Sequence, residues 1–456
     1  MNTKDRFFVN KESFNDNISG KNISDNNLSN NNLLNNNLFN NDLAMLGAFC
    51  LFLSAVEYMI PKPLPFMRIG LANLPLLLAL DVSSPRRFFI LVCIKVFGQA
   101  LITGTLFSYI FLFSLTGTFF SAMLMLFLRR FLGSKLISFI GIGTAGAIVS
   151  NISQLALAHV FIFRENVRYI TPPFLAAGLV TGIILGVFCE AFTRKSKWYK
   201  RQAFDSSAAD SEIKRFNQEA LEPVDLCSEV SIHKSEINNK NHETEMNNIN
   251  HETGFNNTML TGRREFYENN FSAKALFLCG LLMIPALVFN PDTVSRCFQF
   301  VFFIFLVWLS GKKINIFITI LVTVFIIAFN LIIPYGKVLF SVGAFKITSG
   351  ALEAGIHRAV TLQALVMLSK AAVRKDLKLP GTLGFLLGES MRIFSFLTER
   401  KLRITRKNLM TEIDAMMLEL SSKKIIYTGV EEIKTKPAGF FILAGAVILS
   451  WLPWIF

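Results

Sequence analysis

Charge is what this sequence is short of. Only 17% of its 456 residues are charged, against roughly 25% in soluble domains. Together with a mean hydropathy of +0.46, this excludes an ordinary globular enzyme. Cysteine offers no chemistry either. There are six, no two in C-x-x-C spacing, and five fall in or at the ends of apolar runs. Metal and redox roles are set aside in favour of small reduced packing residues. No cofactor is expected. There is no Walker A sequence, so the chain has no P-loop of its own for ATP. No Asp-Asp dipeptide occurs, which removes the aspartate-rich motif that holds magnesium against a diphosphate. A G-x-S-x-G elbow and a G-x-G-x-x-G turn after a strand are also missing. The first apolar run lacks a small-residue cleavage pattern, so it is expected to be a retained helix rather than a signal peptide.

The polar residues gather in three stretches, roughly 1–43, 194–272 and 371–436, and the remainder is almost continuously apolar. Forty-six Phe residues suit a lipid-facing surface. The net charge of +14 is not read as a nucleic-acid signal. Its basic residues sit in short clusters between apolar runs, as in the inner loops of membrane proteins. The tail 1–43 is Asn-rich with a period of five (Ile18, Ile23, Leu28, Leu33, Leu38, Leu43). Six copies are too few to bury a β-helix core, so disorder is expected.

The first apolar cluster, 44–193, predicts six helices at about 44–60, 69–81, 87–107, 109–128, 136–162 and 172–192. A hydrocarbon core needs about 20 residues per helix, so the short second helix must tilt or be shielded. Arg86 and Arg87, then Arg129, Arg130 and Lys135, then Arg194, Lys195, Lys197, Lys200 and Arg201 fall on one side. The positive-inside rule makes that side, and the N-terminus, cytoplasmic. Residues 194–272 read as a disordered linker rich in Asn, Glu, Ser and Lys. Within it His242-Glu243 lacks the second His of a zinc motif, since Met246 stands there, and Phe255 stands in that place after His251.

The second cluster, 273–456, predicts helices at about 273–290, 297–310, 314–334, 349–370 and 438–456, giving about eleven spans in an all-α, polytopic bundle (6 + 5). Between 380 and 430 a helical stretch is too charged to cross a bilayer. Phe394, Leu397, Leu402, Met410, Ile413, Met416, Met417 and Leu420 recur at helical spacing among Arg392, Arg400, Arg403, Arg406 and other charges. These helices are expected to lie on the cytoplasmic membrane surface or to dock a cytoplasmic partner.

Polar residues at membrane depth mark the candidate site. Glu57 ends the first helix and Asn73 begins the second. Lys95 and Gln99 lie one turn apart on the third, and Asn151 and Gln154 share a face of the fifth. A charge near the bilayer centre costs about 2.5–3.5 kcal/mol. These six are therefore expected to line one cavity, where a phosphate or carboxylate would suit Lys95 and an uncharged ligand would leave it to pair with Glu57. Interhelical hydrogen bonding is the plainer alternative. Gly178, Gly182 and Gly186 form a doubled G-x-x-x-G that close helix packing explains without a ligand.

Four segments carry a resemblance. Gly70-Leu-Ala-Asn-Leu, Leu101-Ile-Thr-Gly-Thr-Leu-Phe-Ser, Gly117-Thr-Phe-Phe-Ser-Ala-Met-Leu-Met and Gly146-Ala-Ile-Val-Ser-Asn-Ile-Ser-Gln resemble the Gx transporter family. Its members are often labelled heptaprenyl diphosphate synthase component I, and it is similar to the six-helix substrate-binding (S) components of energy-coupling factor transporters. Ser150 departs from the His that the resemblance leads one to expect before Asn151. The second cluster more weakly resembles the transmembrane coupling (T) component. The likeness lies in Phe345-Lys-Ile-Thr-Ser-Gly-Ala-Leu-Glu-Ala-Gly and in the order of spans, amphipathic helices and final span. Its ATPase-docking Ala-Arg-Gly motifs are not clear here, and Met391-Arg392-Ile393 comes nearest. The resemblance implies an S-like and T-like membrane transporter for a small or isoprenoid-related, lipid-like molecule. Separate ATPase subunits would then contact Arg392, Arg400, Arg403 and Arg406. The alternative it implies is a membrane subunit of a polyprenyl diphosphate synthase.

Overall fold

A computed structural model describes residues 42–58, 70–202, 204, 264–312, 314–342, 345–374, 376–377, 379–399, 409–422 and 435–454. The first half comprises α1 (42–58), a 3-10 turn Leu71–Asn73 leading into α2 (Leu74–Val82), α3 (Pro85–Thr103), α4 (Tyr109–Leu136), α5 (Phe139–Ala158) and α6 (Val167–Lys195). Short helices α7 (197–202) and α8 (Arg264–Asn270) follow. The second half holds α9 (Ala273–Val288), α10 (Thr293–Leu309), α11 (Ile316–Asn330), α12 (Ser349–Ala372), α13 (Gly381–Glu399), α14 (Leu409–Ser422) and α15 (Pro437–Trp451). Between α11 and α12 stands an antiparallel hairpin, β1 (Val338–Val342) and β2 (Phe345–Thr348). Helix periodicity gave no warning of that hairpin.

The chain is helical with membrane-compatible apolar helices, and among the described residues few of these are full-length spans. Tyr109–Gly133 and the stretch Phe139–Lys195 are long and apolar enough to cross a membrane, and the bent pair α8–α9 (94°) makes a third if it acts as one span. Leu71–Val82, Thr293–Leu309, Ile316–Asn330 and Gly439–Trp454 are apolar but shorter. The expectation of eleven spans came from counting apolar runs, which are shortened in the fold by caps and turns. Gly104, left-handed at φ 64°, ends α3 short of the predicted limit. Gly133 (φ 71°) kinks α4.

Phe139–Lys195 doubles back on itself through a π turn and a 3-10 turn at 159–166. The glycine stripe then sets the approach of α5 to α6. A Cβ on Gly182 would lie 2.8 Å from Thr144 Cα, and one on Gly186 2.5 Å from Ile140 Cα. Only hydrogen allows backbones this close.

The two halves share one core. Leu386, Leu387, Ile393, Phe394 and Leu397 of α13 and Ile413, Met417 and Leu420 of α14 are buried in the same cluster as α1, α2 and α3. Gly47 of α1 lies under Ser390, and Gly98 of α3 under Leu387. The apolar faces of α13 and α14 thus pack in large part against the chain itself, while Phe385 and Phe396 of α13 are exposed. At the opposite end of the bundle Asn166 Nδ2 donates to Phe329 O (2.7 Å), and Arg358 donates to Ile162 O (3.1 Å).

The stretch read as a disordered linker is also corrected at both ends. Trp198 and Tyr199 of α7 are buried. Asp414 of α14 accepts from Ser196 Oγ (2.5 Å) and from the backbone N–H groups of Lys197 and Trp198 (3.0 Å each). Tyr199 OH donates to Asp81 (2.9 Å), which also holds Arg129 bidentately. Burial, then the Asp81 charge, pushes the Tyr199 phenol well above its usual range. At the far end Tyr267 OH of α8 donates to Ala371 O (2.5 Å). The pentapeptide tail up to residue 41, and His242, His251 and the rest of the linker's centre, lie outside the described residues.

Candidate functional site

Residues from α1, the turn before α2, and α3 to α6 converge on one cavity. Its lining comprises Glu57 from α1, Gly70, Ala72 and Asn73 from the turn before α2, Lys95 from α3, Thr118 from α4, Ala147, Ser150 and Asn151 from α5, and Thr181 from α6. Each arrives for a local reason. Gly70 adopts φ 88°, a left-handed value that favours glycine. It starts the 3-10 turn that carries Asn73 to the head of α2, where Pro75 fits the first helical turn. Lys95 comes from the middle of α3, where ten of nineteen residues are buried. Gly178 leaves space for the Asn151 amide, which a Cβ at that position would strike. That amide donates to Phe174 O (2.7 Å) and is held against α6.

The site is polar and partly open. Glu57 and Lys95 are each 3% exposed, and they are the ionisable side chains among the ten that line it. Lys95 Nζ donates to Asn73 Oδ1, joining α3 to the turn before α2. The space includes about 390 Å³ not filled by protein, part of it open to the surroundings. Its lining can offer a ligand an ammonium, a carboxylate, two amides and three hydroxyls.

Of the six residues picked from the sequence, Glu57, Asn73, Lys95 and Asn151 line this cavity. Gln99 and Gln154 stand aside. Gln99 is buried one turn further along α3. Gln154 Nε2 donates to Ser150 Oγ (2.9 Å) and lies over Gly117, while its Oε1 has no hydrogen-bond partner among the described residues. Thr118, Ser150 and Thr181 join instead. Thr118 falls inside a segment that carried the resemblance, but a threonine in an apolar helix usually bonds its own backbone and gives no signal. Arg392 lies exposed on α13, and Arg400, Arg403 and Arg406 lie outside the described residues. No group of three or more metal-ligating side chains occurs among the described residues.

Residues 46–192 match the family described as heptaprenyl diphosphate synthase component I. The match spans α1 to α6 and every residue that lines the cavity. Residues 274–375 match a second model, described as a domain of unknown function (DUF8519), which covers α9 to α12 and the hairpin. No curated protein and no solved structure matches the chain.

Proposed function

We propose that the chain is a membrane transport component with its N-terminus on the cytoplasmic side. Its first half would bind a small or isoprenoid-related molecule, and its second half would couple that domain to an energy source. The observation that carries this reading is the cavity. Six helical segments place an ammonium, a carboxylate, two amides and three hydroxyls around one space inside an apolar bundle. Burying Lys95 there is costly unless something repays it. The Asn73 contact repays part of the cost, and an anionic or polar group on a ligand would be a suitable further partner for the ammonium. Continuity of the α13–α14 core with α1 and α3 supports a mechanical link. Movement of the cytoplasmic helices would be felt at the helices that line the cavity.

Lys95→Met tests this directly. Binding of small molecules retained from native membranes, read by mass spectrometry of the purified protein, is expected to fall by about 10-fold or more, on the scale of one charge-assisted hydrogen bond. The variant should still insert and elute as the wild type does. Unchanged retention would remove the site. Coupling is tested separately, because separate ATPase subunits should co-purify with the wild-type chain. A charge reversal at Arg392 should weaken that association.

The family match favours a second reading, a membrane component of a heptaprenyl diphosphate synthase that works with other subunits. The lack of any Asp-Asp dipeptide argues that the catalytic magnesium site would belong to those subunits. Reconstitution with a candidate catalytic subunit separates the two. A gain in prenyl-chain elongation that survives Lys95→Met favours the enzyme reading.

A further inference from the structure

The second half contains a different kind of cavity. It lies between α9, α10, α12 and α15, with Tyr267 and Phe271 also in its lining. Its walls include Leu276, Met283, Leu306, Leu368 and Ala446, and it includes about 470 Å³ not filled by protein, part of it open. The one side-chain oxygen or nitrogen in the lining is the Tyr267 hydroxyl, and that group already donates to Ala371 O (2.5 Å). A buried water needs two to four polar partners, and this lining offers almost none. An apolar void left empty forfeits dispersion contacts on every wall. Ile442, part of the lining, is 47% exposed, so the space communicates with the outer surface of the bundle, where lipid chains are.

One end of this cavity is basic. Short helix α8 turns 94° from α9, and Tyr267 and Phe271 at this end line the slot. Arg264 is 67% exposed and paired with Glu268 (2.8 Å). Arg374 is paired with Asp376 and also donates to Phe271 O (2.8 Å). Lys436 reaches the same place, its N–H donating to Asn270 O (3.2 Å). Lys274 stands exposed on the first turn of α9. Lys312 Nζ donates to Lys370 O and to Val373 O (2.7 Å) at the end of α12. The five basic residues Arg264, Lys274, Lys312, Arg374 and Lys436 outnumber the three carboxylates Glu265, Glu268 and Asp376 among the described residues, so the end is net positive. An apolar slot that opens beside a positive membrane face fits an amphiphile with a hydrocarbon chain and an anionic head.

We propose that this slot holds one hydrocarbon chain of an anionic membrane lipid, with the lipid's head group at the basic end formed by Lys274, Lys436 and Arg264. The assignment is independent of the first-half cavity, which is polar and formed by other helices. The bound chain completes the packing of α9, α12 and α15 and fixes the position of α8, whose Tyr267 and adjoining Phe271 line the slot.

The test uses the full chain, purified and exposed to an equimolar mixture of phosphatidylglycerol and phosphatidylcholine, then washed and read by native mass spectrometry. The wild type should retain a phosphatidylglycerol adduct in preference to phosphatidylcholine. Ala446→Trp and Cys279→Phe, which fill the slot, should each lose the adduct. Lys274→Glu with Lys436→Glu should keep a lipid but reduce the preference for phosphatidylglycerol by roughly 10-fold or more, given the pull of each basic residue on an anionic surface. Because filling a slot can also prevent folding, the wild type is photolabelled as well, with a phosphatidylglycerol carrying a chain-end diazirine. Saturable labelling should concentrate in peptides spanning 264–283, 306–309, 368–372 and 442–446. The proposal is overturned by a wild type that retains no lipid. Adducts equal in the wild type and a folded filling variant also overturn it, as does labelling spread evenly over exposed faces such as Phe127 and Phe131 of α4.

Discussion

Asp414→Ala should undock α7 from α14, and the size of the effect follows from three bonds. The carboxylate accepts from Ser196 Oγ at 2.5 Å and from the N–H groups of Lys197 and Trp198 at 3.0 Å. It acts as an N-cap supplied from more than two hundred residues away, satisfying donors that the first turn of a helix cannot pair internally. Loss of an ordinary N-cap costs about 0.5–2 kcal/mol, and a hydrogen bond to a charged group contributes about 1.5–3 kcal/mol. The three bonds act on one rigid turn and are not additive. Lys197 is also exposed, so solvent screens part of the charge. A net loss of about 2–4 kcal/mol is expected, equivalent to an approximately 30- to 1000-fold rise in the open population. Amide hydrogen exchange of the peptide containing Lys197 and Trp198 reads this directly, because those N–H groups are the donors. Exchange there should accelerate by that factor, while α5 and α6 change little. Ser196→Ala, which keeps both backbone bonds to the carboxylate, should have a smaller effect. A change below about threefold in Asp414→Ala would refute the view that this carboxylate holds the two halves together at this end.

Gly186→Val places a Cβ 2.5 Å from Ile140 Cα and 2.9 Å from Phe139 O, and backbone cannot step aside as a flexible side chain can. It should force α5 from α6, costing roughly 1–3 kcal/mol or more and lowering the melting temperature in detergent. A wild-type melting temperature would show that the helices do not meet at this stripe. Glu389 of α13 is buried, with Oε1 lacking a hydrogen-bond partner among the described residues. Burial raises its carboxyl pKa above 4.5, and Arg392 partly opposes the rise. The folded state therefore binds more protons than the unfolded state above pH ~4.5, and stability falls as pH rises through the folded pKa. Glu389→Gln should flatten that dependence and stabilise the chain near neutral pH; an unaltered pH profile of melting would rule out Glu389 as its source.

Much follows from the linear pattern alone. Runs of apolar residues between basic clusters require membrane-compatible helices, because only a helix satisfies its own backbone in lipid. The Gly178, Gly182 and Gly186 period requires close packing on one face of α6, and that face meets α5. The cost of burying polar and charged groups singles out Glu57, Asn73, Lys95, Gln99, Asn151 and Gln154 from the residue order, and the fold brings four of these six, all but Gln99 and Gln154, to one cavity. Periodicity says which residues of a helix share a face, but it does not say which face turns inward. Helical spacing groups Gln99 and Gln154 with Lys95 and Asn151. Rotation of α3 and α5 in the bundle takes Gln99 out of the lining and turns Gln154 toward Ser150 and Gly117. Thr118 and Thr181 enter because α4 and α6 point those positions inward, a choice set by packing with neighbours. The same holds for α13 and α14. Their amphipathic pattern is plain, but it could not say that the partner surface is α1 to α3 of the same chain, nor that Asp414 would cap a helix in a stretch that reads as linker. Such pairings depend on contacts far apart in sequence, so only the tertiary structure decided them.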